Sequence, residues 1–202
     1  MSLFNFLFET KEDKFWKWFS SKAEDIAKAE QQNDPVIEQM VIELRKVNPD
    51  LVYEMSGVKN QKVIDFTVSA DGKYELIPVV QKLVSKKPDL ENWNITAFRQ
   101  RNNTIYNFEM NDIKITGNGV KYLFVKDKDP NKISILLFFP NFSEEKRNDF
   151  GGAAYIFMDG IVGEYDVMTK IGFIDVFGFD SKYMINAKPL DELVKEFDEY
   201  FK

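Results

Sequence analysis

The chain has 202 residues and contains neither cysteine nor histidine. No disulfide can staple it, and the two preferred zinc ligands are missing, so its fold must be held by its own apolar core. The same absence removes the commonest general base and the thiol nucleophile. Metalloprotease, cysteine-protease, Ser-His-Asp hydrolase, zinc-finger and thiol redox chemistry fall together. What remains is carboxylate, Lys, Tyr, Ser or Thr chemistry, or binding without chemistry. Core material is plentiful, with 19 Phe, 8 Tyr and 3 Trp among 44% hydrophobic residues, and each ring buries a large area. A chain of this length is most simply one domain.

The formal net charge of −6 argues against a general nucleic-acid binder, which needs a basic face for phosphates. Most cations are Lys; only Arg45, Arg99, Arg101 and Arg147 are Arg. Residues 1–8 are apolar but lack a basic leader and a small-residue cleavage site, so no signal peptide is expected. An apolar octapeptide should be covered, either by the first helix or through self-association. No uncharged apolar run reaches the ~20 residues of a membrane span. A cytoplasmic location is therefore expected.

Apolar residues recurring at three and four predict a helix over 11–30, with Phe15, Trp18 and Phe19 inward and Trp16 leaning away. After a polar break at 31–33, Asp34-Pro35 starts a second helix whose stripe is Ile37, Met40, Val41, Leu44 and Val47. Strand patterns follow at 51–55 and 63–70, then a helix over 74–85 in which Pro78 is tolerable only if the first turn is late. Further strands are expected at 93–100, 104–109, 121–126 and 133–139, the last so continuously apolar that it should be central. A buried helix over 153–167, a strand over 171–179 and a helix starting at Pro189 complete the chain.

This order predicts an α+β fold: a mainly antiparallel sheet with helices packed on it, preceded by an N-terminal helical hairpin over 1–49. Residues 1–202 are expected to form one domain, with sheet and helices over 50–202. The passages 63–100 and 133–179 each read strand, helix, strand, as a distant duplication would, without a residue-level repeat.

Two anchors carry a resemblance. One comprises Val68-Ser69-Ala70-Asp71-Gly72, Ile77-Pro78-Val79-Val80, Leu83-Val84, Pro88, Trp93 and Ala97-Phe98-Arg99; the other comprises Asp159 and Gly163-Glu164-Tyr165-Asp166. Together they resemble a family of uncharacterised bacterial proteins. Lys87-Pro88 departs from the Ala-Pro expected there. The family has no assigned activity, cofactor or catalytic residue, so the resemblance implies a single domain spanning both anchors and nothing functional.

Candidate ligand-binding residues are Trp93, Arg99, Arg101 and Glu164. If one strand runs unbroken from 93 to 101, Trp93, Arg99 and Arg101 share a face. Arg forks can grip a carboxylate or phosphate, an indole can stack a ring, and Glu164 could act as acid or base. The competing reading gives these arginines to internal carboxylates. Six of the ten glycines fall between Gly151 and Gly178, but neither GxGxxG nor GxxxxGK[ST] occurs. Asp159, Glu164 and Asp166 lack EF-hand spacing, and Asp71-Gly72 reads as a turn. No metal or cofactor is expected.

The sequence points first to a non-enzymatic binding or protein-interaction protein of bacterial, accessory or immunity-like type, with a protein partner or a second copy. The alternative is a His- and Cys-independent enzyme acting on an anionic small molecule through Arg and carboxylate side chains.

Overall fold

A computed structural model describes residues 9–29, 33–57, 63–102 and 106–202. The expectations for the octapeptide 1–8, for 30–32 and for a strand beginning at 104 lie outside the described residues. The fold is α+β, and it begins with a pair of helices. Contacts gather into two compact units, divided between Arg99 and Gln100, where the sequence reads as one domain.

In the first unit, α1 (Lys11–Lys28) opens on a capping box. The Asp13 N–H donates to the Thr10 hydroxyl oxygen at 3.3 Å, and the Thr10 N–H donates to the Asp13 carboxylate at 3.0 Å. Helix α2 (Pro35–Val47) has Asp34 as N-cap and buries Ile37, Met40, Leu44 and Val47. The sheet order is β1 (Val52–Ser56), β2 (Ile64–Ser69), β3 (Trp93–Ala97). Strands β1 and β2 are antiparallel, whereas β2 and β3 are parallel. A parallel pair needs a crossover, supplied by α3 (Ile77–Ser85) after a 3-10 turn at Tyr74–Leu76, which places Pro78 in the first turn.

The inner face centres on Phe66, whose ring lies 4.9 Å from Phe19 on α1. Trp16 and Trp18 exchange the roles expected of them. Trp16 is buried and donates its indole N–H to the Leu83 carbonyl at 2.7 Å, while Trp18 is half-buried. The apolar arc of α1 turns one residue further toward α3, because an indole there finds both burial and a partner.

Two ion pairs clamp the start of α1 to α3. Lys82 reaches Glu12 at 2.8 Å, and Lys86 reaches Asp13 at 2.9 Å. Burial pushes the Glu12 carboxyl up, but hydrogen bonds from Lys82, its own backbone and Thr10 outweigh it and hold the group at about 2. The Lys86 ammonium, then Thr10, hold Asp13 at about 2. Both folded-state values lie below the ordinary 4.5 and 3.8. The stability they contribute is present above those ordinary values and is lost as pH falls toward 2. Glu12→Gln with Asp13→Asn should therefore flatten the fall in urea midpoint between about pH 5 and pH 2; an unchanged slope would show that the clamp contributes nothing.

The second unit opens with a hairpin of β4 (Asn107–Met110) and β5 (Ile113–Thr116). Asn111 and Asp112 turn it with φ of 48° and 63°, the left-handed pair of a type I′ turn. The main sheet has the order β8 (Ile171–Gly178), β7 (Ile133–Phe139), β6 (Lys121–Lys126), β9 (Lys188–Pro189). Strand β7 is interior, and all seven of its residues are buried, as its unbroken apolar run predicts. It pairs antiparallel with β6 and parallel with β8, with a bulge near Gly172. The crossover is two helices, α4 (Arg147–Val162) and α5 (Glu164–Lys170), instead of one over 153–167. Gly163, at φ 92°, makes the break, and few L-residues adopt that angle. Strand β3 likewise stops at Ala97, short of the expected 100.

Helix α6 (Leu193–Tyr200), after a 3-10 turn at Leu190–Glu192, buries Leu193 and Phe197 on this sheet. Glu196 departs from the solvated acidic face that the helical pattern suggests. It accepts from the buried Tyr122 hydroxyl at 2.5 Å and from Lys188 at 2.8 Å. Burial, then the Glu196 carboxylate, push the Tyr122 phenol far up, so it remains a donor. Glu196→Ala would strand that hydroxyl and should cost about 1–3 kcal/mol, whereas Lys195→Ala should change stability by less than about 0.5 kcal/mol. Urea melts compare the two; equal midpoints would contradict the role given to Glu196. Phe197→Ala should cost about 3–5 kcal/mol.

Candidate functional site

Helix α4 ends at Val162 with carbonyls that its own turns cannot satisfy. The segment entering the second unit supplies donors. Arg101 Nε donates to the Val162 carbonyl at 3.3 Å, and the Asn102 N–H donates to the Gly160 carbonyl at 2.6 Å. A turn earlier, the Tyr106 hydroxyl donates to the Phe157 carbonyl at 2.8 Å. Gly160 permits this approach, since a Cβ there would collide with the Tyr106 ring and hydroxyl.

The rest of the Arg101 fork is also engaged. Nη1 donates to both Asp198 carboxylate oxygens at 2.9 Å, and Nη2 lies 3.5 Å from Asp166. One guanidinium thus joins α4, α5 and α6, with its charge at the negative pole of α4. Lys170 adds a second cation to Asp166 at 3.0 Å. Glu164 heads α5 fully buried, and Asp159 is buried one helical turn before Gly163. Neither carboxylate is without a partner.

Trp93 and Arg99 belong to the first unit, Arg101 and Glu164 to the second. Trp93 opens β3 and sets its ring 5.0 Å from Phe19, as part of the core. Arg99 lies beyond the other end of that strand. Five residues of strand span roughly 17 Å, so an anion held by Arg99 would not reach the indole. The alternation that would align 93 with 99 and 101 breaks at Phe98, buried with φ 65°. That turn carries Arg99 back over β1, where its Nε lies 2.5 Å from Glu54 and its Nη2 lies 3.4 Å from Asp71. Each arginine therefore makes internal ion pairs, the competing reading of the sequence.

An open groove of about 530 Å³ runs between α1 and α2, lined by Trp18, Lys22, Asp25, Lys28, Asp34 and Gln39 among others. Its lysines are paired, Lys22 with Asp25 and Lys28 with Glu24. Among the described residues no three acidic side chains converge as a metal cage, and no buried side-chain polar atom lacks a hydrogen-bond partner. Among them, too, no helix is long and apolar enough to cross a membrane.

No protein-family model, no curated protein and no solved structure matches the chain.

Sequence reasoning missed Tyr106 and Asp198 as partners of the α4 terminus; neither belongs to a motif, and only the fold brings them there. Two predictions follow the geometry. Arg101→Ala should lower stability by about 1–3 kcal/mol, and Arg101→Lys should restore less than half of it, since an ammonium cannot span three acceptors. Gly160→Ala should cost about 1–3 kcal/mol by overpacking, and Tyr106→Ala should recover part of that loss in the same chain. Denaturant melts of both singles and the double measure it; strictly additive losses would exclude the close approach.

Proposed function

We propose that the protein is a non-enzymatic binding or protein-interaction protein, of bacterial accessory or immunity-like type, acting in the cytoplasm. The observation that carries this reading is the employment of its arginines. Arg99 is paired with Glu54 and Asp71, and Arg101 with Asp198, Asp166 and the Val162 carbonyl. An enzyme gripping a phosphorylated or carboxylated small molecule through these forks would first have to break its own ion pairs. Large exposed apolar side chains give further support. Phe179 and Tyr183 are 40% and 43% exposed, Tyr183 against the Phe177 ring, and exposed aromatic surface of this kind marks interaction sites.

Thermal-shift titration with phosphorylated and carboxylated metabolites should leave the melting temperature unchanged. The tagged protein from extracts of its native host should elute at a mass above that of the purified chain. A saturable rise in melting temperature with one such metabolite, reduced in Arg101→Lys, would favour the enzyme instead.

A further inference from the structure

The two units contrast on the sheet face opposite their helices. In the first, that face carries hydrogen-bonded polar rungs: Asn94 to Asp65 at 2.7 Å and Thr67 to Thr96 at 3.0 Å. In the second it is polar at one end, where Ser134 donates to Asp127 at 2.5 Å, and aromatic toward the carboxyl ends of β7 and β8, with Phe138 itself fully buried. Lys121, Phe138 and Phe177 stand in register across β6, β7 and β8. The Phe177 ring lies 5.9 Å from Phe138 and 5.7 Å from Tyr183. Phe179 and Tyr183 are 40% and 43% exposed.

Two lysines stand over these rings. Lys121 Nζ is 5.8 Å from the centroid of Phe179, and Lys182 Nζ is 5.0 Å from that of Tyr183. Among the described residues neither lysine is ion-paired, in a chain where acids outnumber cations 33 to 27. The nearby Arg147, over Phe177, is already paired with Glu144 and Asp175. The patch lies toward the carboxyl ends of the parallel strands β7 and β8. Along the edge strand β8, the Ile174 and Val176 amides already donate to the Tyr155 hydroxyl at 3.3 Å and to Asp175 at 2.8 Å, which disfavours strand addition there and leaves the face as the better contact surface.

We propose that this surface docks an acidic, apolar-bearing segment of a protein partner, with carboxylates meeting Lys121 and Lys182 and apolar side chains seated on Phe177, Phe179 and Tyr183. The proposal rests on reading the protein as an interaction protein. The partner's chemistry follows from complementarity: two unpaired ammonium groups flank an apolar floor. Two cations are too few for an anionic membrane, where clusters of about four to eight are needed. A two-fold copy would bring the same lysines together, like charge against like.

The test is an NMR titration of the full chain with three synthetic peptides: alternating Glu and Phe, alternating Lys and Phe, and alternating Glu and Ser. The Glu/Phe peptide should shift amides at 121–123, 138 and 177–185, and the other two should not. Lys121→Glu with Lys182→Glu should weaken that binding by about tenfold or more. Shifts elsewhere, equal binding by the Lys/Phe peptide, patch shifts with phosphatidylserine vesicles alone, concentration-dependent self-association through the patch, or unaltered binding by the double variant would each overturn the proposal. Elution of the double variant from host extract separates the two levels. If it keeps a complex that wild type forms while the peptide result is negative, the docking surface is wrong and the interaction reading stands. If neither protein forms a complex, both fall.

Discussion

Each unit is organised by a pair of parallel neighbouring strands, β2 with β3 and β7 with β8. Parallel neighbours cannot be joined by a tight turn, so a helical crossover must lie across one sheet face. That requirement puts α3 over the first sheet and α4 with α5 over the second, and fixes which face becomes core. The crossover helices are pinned alike near their C-terminal ends. Lys82 and Lys86 reach back to Glu12 and Asp13 on α1, and Arg101 joins the end of α4 to Asp198 on α6. Arg101 also satisfies a carbonyl at the negative end of its helix, whereas Lys82 and Lys86 extend from α3 to carboxylates on the first turn of α1.

With one face committed, chemistry on the other is free to differ. Polar rungs leave the first sheet content with water. The second sheet's outer face, with Phe177, Phe179 and Tyr183, gains free energy from any partner that covers its exposed part. A shared strand–helix–strand pattern is thus compatible with unequal roles, and the exposed aromatic part of the case for interaction comes from the second unit.

Much of the fold is legible because it is written in local periodicity. The stripe of α2, the alternation of β2 and the unbroken apolar run of β7 each name an element and its depth. What escapes is decided by single residues or by distant ones. Gly163 divides what the apolar pattern reads as one helix, because a buried run shows no period to mark a break. Phe98 ends β3 with a left-handed φ that an aromatic residue does not advertise, and so separates Trp93 from Arg99. Strand β5 is too short, and its Asn111-Asp112 turn too modest a signal, to stand out. Trp16 and Glu196 depart from their helical patterns for a common reason: a polar atom on each finds a partner far along the chain, Leu83 or Tyr122, and that bond outweighs the pattern.

The division of labour between Arg and Lys ties the candidate site to the proposed surface. A guanidinium holds several acceptors at once in a fixed plane, and Arg99, Arg101 and Arg147 are each used that way, against carboxylates of their own unit. An ammonium on a flexible stem can serve as a point charge, and Lys121 and Lys182 rest over rings instead of carboxylates. Among the described residues about half of the cations find an internal acid. A lysine that stands over an exposed ring keeps its charge uncommitted while the ring keeps its face uncovered, and both gain when one ligand brings an anion and an apolar group together. Arginine, scarce beside lysine in this chain, therefore marks how the fold is held, and the proposed docking surface draws on lysine.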